Sequence, residues 1–101
     1  MTPENGGRIE LRLGAASSDS AEYEALLKTA TSSWRTTVQV GASVPGKQVA
    51  FGAWSTELGP AAPPEWLTDD ARAALKAALR TNQAEGRWPR RITRWRPEPS
   101  D

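Results

Sequence analysis

The chain has 101 residues, thirteen Lys and Arg against twelve Asp and Glu, five Trp, and neither Cys nor His. That length suits one domain, and the missing residue types exclude disulfides, thiolate metal sites, a cysteine nucleophile and the commonest general base. A formal charge of +1 gives no global case for a nucleic acid or a membrane surface.

Residues 1–7 are polar and punctuated by Pro and Gly, which predicts a flexible N-terminal tail. Residues 8–13 alternate strictly: Ile9, Leu11 and Leu13 on one face, Arg8, Glu10 and Arg12 on the other. That is the pattern of a half-buried strand. Next, Asp19 and Glu22 have capping-box spacing, and Tyr23, Leu26, Leu27 and Ala30 follow at i, i+3, i+4 and i+7. This spacing predicts a first helix. Residues 34–40 read as a second strand with Trp34, Thr36, Val38 and Val40 inward. Residues 48–55 read as a third, with Val49, Phe51 and Ala53 inward and Gln48, Ala50, Gly52 and Trp54 outward. Leu67, Ala71, Ala74, Leu75, Ala78 and Leu79 form the apolar stripe of a second helix. Thr68 caps it, or Pro64 opens it, and Gly86 stops it. Residues 90–96, between Pro89 and Pro97, form a short last strand, and 98–101 a flexible C-terminal tail.

The expected order is β-α-β-β-α-β in a single α+β domain over residues 8–97. Right-handed crossovers then give a ferredoxin-like sandwich, a four-stranded antiparallel sheet with both helices on one face. Its other face is open. On it the alternation sets Arg8 and Arg12, Arg35, Trp54, and Arg91 with Trp95. Exposed indoles among guanidiniums on an uncovered sheet point to binding of a protein partner or a second copy.

Charge is unevenly spread. Residues 86–97 hold five arginines and no acid, while the chain up to Glu85 has eight basic and ten acidic residues. Arg87, Arg90, Arg91, Arg94 and Arg96, interleaved with Trp88 and Trp95, suit single-stranded nucleic acid as an alternative, guanidiniums on phosphates and indoles under bases. Charges on an edge strand also block sheet-to-sheet aggregation, and the same arginines can pair with Asp69 and Asp70. Residues 47–54 match the signature of RNA-recognition motifs only at Lys47, Ala50, Phe51 and loosely Trp54, too little to indicate kinship.

Catalysis finds no support in the residue pattern. Asp69 and Asp70 are adjacent on a helix start and diverge by about 100°, and no Gly-rich loop follows a strand. No enzyme activity, cofactor or metal is therefore expected. No apolar run reaches the roughly 18 residues of a membrane span, and the N-terminus lacks the pattern of a secretion signal. A cytoplasmic location is the expectation.

Overall fold

The structure, a computed structural model, describes residues 6–45 and 47–97, apart from the side chains of residues 57 and 58. Strands β1 (Gly6–Ala16), β2 (Ser20–Thr29), β3 (Ser33–Gly41), β4 (Val49–Phe51) and β5 (Ser55–Leu58) precede helix α1 (Glu65–Glu85), and β6 (Arg91–Pro97) follows it. The strands form one antiparallel sheet in the order β4-β3-β2-β1-β6, with β5 pairing β3 beyond β4. The helix lies across one face. Gly6 and Gly7 already pair with Pro97 and Arg96; the remainder of the two expected tails lies outside the described residues.

The ferredoxin-like arrangement is therefore incorrect: the fold is α+β, but it has one helix and six strands. Segment 19–30 is β2, a central strand hydrogen-bonded on both sides. Ala21, Tyr23, Ala25 and Leu27 are buried at two-residue spacing, each opposite a buried residue of β3: Val40, Val38, Thr36 and Trp34. The apparent helical stripe mixes faces, since Leu26 points to the opposite side and Ala30 is exposed. Ala, Glu, Leu and Lys favour a helix, but β1 and β3 each offer an edge that only a strand can satisfy. Pairing overrides propensity. Asp19 caps no helix; its carboxylate accepts a hydrogen bond from the Ser17 hydroxyl at 3.1 Å in the β1–β2 turn.

The expected strand 48–55 also divides. β4 ends at Phe51, residues 52–54 leave the ladder, and β5 resumes at Ser55. Two bonds hold this break: Gly52 N–H donates to Thr37 O at 2.8 Å, and the buried Thr36 hydroxyl donates to Ala53 O at 2.9 Å.

The apolar phases of β1, β3 and α1 agree with their alternation and periodicity. Ile9 and Leu11, Trp34, Val38 and Val40, and Leu67, Ala71, Leu75, Ala78 and Leu79 are all buried in one core. Each large side chain there contributes roughly 1.5–3 kcal/mol. α1 starts after Pro64 and ends at Gly86, whose φ of 75° is left-handed and whose N–H donates to Asn82 O at 2.7 Å. Beyond it, residues 86–90 are pinned from two sides. The Tyr23 hydroxyl donates to Pro89 O, and buried Trp88 donates its indole N–H to Ser17 O at 3.0 Å. The two rings meet edge to face at 6.5 Å. Among the described residues no helix is long and apolar enough to cross a membrane.

Candidate interaction surface

Because α1 covers one face only, every second residue of β1, β2, β3 and β6 lies on an uncovered one. The register sets these residues in rows. Ser33, Lys28, Arg8 and Trp95 form one; Arg35, Leu26, Glu10 and Thr93 the next; Thr37, Glu24, Arg12 and Arg91 a third. Gln39 and Glu22 continue the face, joined by a 2.8 Å hydrogen bond from the amide to the carboxylate.

Glu10 is the hub of this surface. Its carboxylate lies 3.3 Å from the Arg8 guanidinium and 4.0 Å from that of Arg91. Arg12, Lys28 and Arg35 have no ion pair among the described residues. Five cations share the face with three carboxylates (Glu10, Glu22 and Glu24). The excess is positive, but the pattern is mixed.

Trp95 is the one large apolar side chain left exposed among the described residues, with 50% of its surface accessible. It stands beside Arg8 and leans over Gly6, where a Cβ would lie only 2.5 Å from the indole ring. A side chain at position 6 would push the ring away, so the glycine sets how flat the indole lies.

The other residues singled out from the sequence are placed as follows. Arg8, Arg12, Arg35, Arg91 and Trp95 do share the open face. Trp54 does not join them. It stacks on Phe51 at 5.5 Å, on the helix side of the sheet, where Arg72 also lies over the Phe51 ring. The strand break at residues 52–54 moves it there. Trp88 is buried and presents no stacking plane. Arg87 pairs with Glu85 at 3.3 Å, and Arg96 with Asp70 at 3.2 Å across to the first part of α1. Arg94, opposite Ile9, points to the helix side and lines an open groove of about 390 Å³ with Asp70, Ala73 and Ala74. Arg90 and Arg94 have no ion pair among the described residues.

Sequence reasoning missed the contribution of β2: Glu22, Glu24, Leu26 and Lys28 form the middle of the open face. The signal was the alternation of Ala21, Tyr23, Ala25 and Leu27 with Glu22, Glu24 and Lys28, which apolar Leu26 interrupts. Among the described residues, no three acids gather where they could hold a metal ion. No family model, curated protein or solved structure matches the chain.

Proposed function

We infer that this is a small, non-enzymatic interaction module of the cytoplasm, which binds a protein partner through the open face of its sheet. The observation that carries this reading is Trp95: an indole half exposed at the margin of an uncovered, charged surface, beside Arg8 on the edge strand β6. An exposed indole beside a guanidinium is the composition of binding hot spots. Mixed charge favours a protein over a phosphate backbone, because Glu10, Glu22 and Glu24 would face the phosphates.

A quantitative capture experiment tests it. Immobilised wild-type chain is compared with Trp95→Ala and Arg8→Ala, each checked by circular dichroism for an intact fold. Loss of the same captured protein in both variants is the expected result. Identical captures by all three would refute it. Light scattering across a dilution series separates a distinct partner from a second copy. Single-stranded nucleic acid remains the second reading, favoured by Arg90 and Arg94, which have no ion pair among the described residues. It requires binding of a labelled oligonucleotide that falls steeply with salt.

A further inference from the structure

We propose that β6 receives an acidic, extended segment of a partner protein as one more strand of the sheet. This extends the interaction-module reading from the open face to its edge, and shares with it Trp95 and the premise that the chain binds a protein.

The backbone supplies the first argument. Leu13 N–H donates to Arg90 O at 2.9 Å, and the register continues with Ile92 opposite Leu11, Arg94 opposite Ile9 and Arg96 opposite Gly7. In an antiparallel ladder the residues that exchange bonds with a neighbour alternate with those that turn away. Arg90, Ile92, Arg94 and Arg96 therefore spend their backbone groups on β1. Arg91, Thr93 and Trp95 turn N–H and C=O outward. β6 ends the sheet, and all of it except Ile92 is exposed. The opposite margin offers no comparable run, since β4 has 3 residues, β5 has 4 and a break separates them.

Charge selects the occupant. Arg90 and Arg94 have no ion pair among the described residues, and the bond of Arg91 to Glu10 is long at 4.0 Å. An added strand alternates its side chains as β6 does. One carboxylate opposite Arg91 and another opposite Arg94 would meet a guanidinium on each face. A side chain opposite Trp95 would rest on the indole. A second copy fits poorly. Pairing two β6 strands about Thr93 uses all the outward groups, but it sets Arg90 of one chain opposite Arg96 of the other. A nucleic acid offers no ladder of donors and acceptors at strand spacing. The arginines that prevent self-pairing are thus the ones that choose an acidic partner.

The test uses the whole chain and a labelled peptide containing Val-Glu-Thr-Val-Glu, followed by fluorescence anisotropy and by amide exchange in NMR spectra. In the free protein, the amides of Ile92, Arg94 and Arg96 are expected to exchange slowly and those of Arg91, Thr93 and Trp95 fast. Peptide is expected to slow these last three at least tenfold. Arg91→Ala combined with Arg94→Ala weakens binding about fivefold, the effect of two exposed ion pairs. A peptide N-methylated at the nitrogens of Thr and the second Glu, which face β6, is expected not to bind. Strand addition is overturned by equal binding of the methylated peptide, by binding that leaves the three amides fast, or by no binding at all. It is equally overturned if those amides slow with protein concentration alone, or with a single-stranded oligonucleotide. In each case Trp95-dependent capture still decides the open-face reading separately.

Discussion

Replacing Tyr23 by Phe probes a long-range tether of the fold. Tyr23 is fully buried in β2, and its hydroxyl donates to Pro89 O, tying the centre of the sheet to the segment that leads into β6. The substitution keeps the ring and its edge contact with Trp88 but removes one hydrogen bond and leaves a carbonyl without its donor. That costs about 1–2 kcal/mol at neutral pH, roughly 5–15 °C in Tm for a domain of this size. Burial also pushes the phenol pKa up to about 12 from its ordinary 10. A group whose pKa is raised in the folded state contributes stability that is fully present below pH 10 and is lost as pH climbs towards 12. The wild-type advantage over Tyr23→Phe should therefore hold from pH 7 to 9 and shrink above pH 10. Urea unfolding of both proteins across that range measures it. The chain has one Tyr, so tyrosinate absorbance reports this residue alone, and the lysines are common to both proteins. A folded-state midpoint near pH 10, or a stability difference that ignores pH, would refute the reasoning.

Two further substitutions test the margins of the structure. Thr36→Val keeps the side-chain shape but removes the hydroxyl that holds Ala53 O; a loss of about 1–2 kcal/mol in denaturant titration is expected. Arg96→Ala breaks the pair with Asp70, whose partners are 47% and 22% exposed. Its effect should stay below about 1 kcal/mol and vanish in high salt.

What could be read from the sequence followed from how cleanly each element separates its two faces. In β1, polar and apolar residues alternate without exception from Arg8 to Leu13. In α1, the stripe from Leu67 to Leu79 has the helical repeat and no competing pattern. Both emerged with the right phase. β2 failed for a physical reason: two of its four inward residues are alanines, which add little apolar area, and Leu26 puts an apolar side chain on the wrong face. Only its neighbours decide its state, and that information lies in β1 and β3. The open face was consequently half visible. Arg8, Arg12, Arg35, Arg91 and Trp95 belong to strands recognised as such. The residues between them came from a segment expected to be helical. Trp54 was misplaced because alternation assumes a continuous strand, and residues 52–54 leave the ladder.

The pairing of β6 with β1 has a consequence for the order of events in folding. β1, β2 and β3 are joined by short turns, so their ladders close small loops. Arg8 meets Trp95 only after nearly all of the chain between them is in place, a closure of far higher entropic cost. Once there, β6 offers the core little beyond Ile92. It is therefore expected to join after the β1–β2–β3 ladders have closed, and it can lift without unfolding them. When it lifts, β1 becomes the margin of the sheet and presents the backbone of Gly7, Ile9 and Leu11. The terminal strand is replaceable in kind: a β6 from a neighbouring chain meets the same register, which makes this segment the natural point of exchange between two molecules.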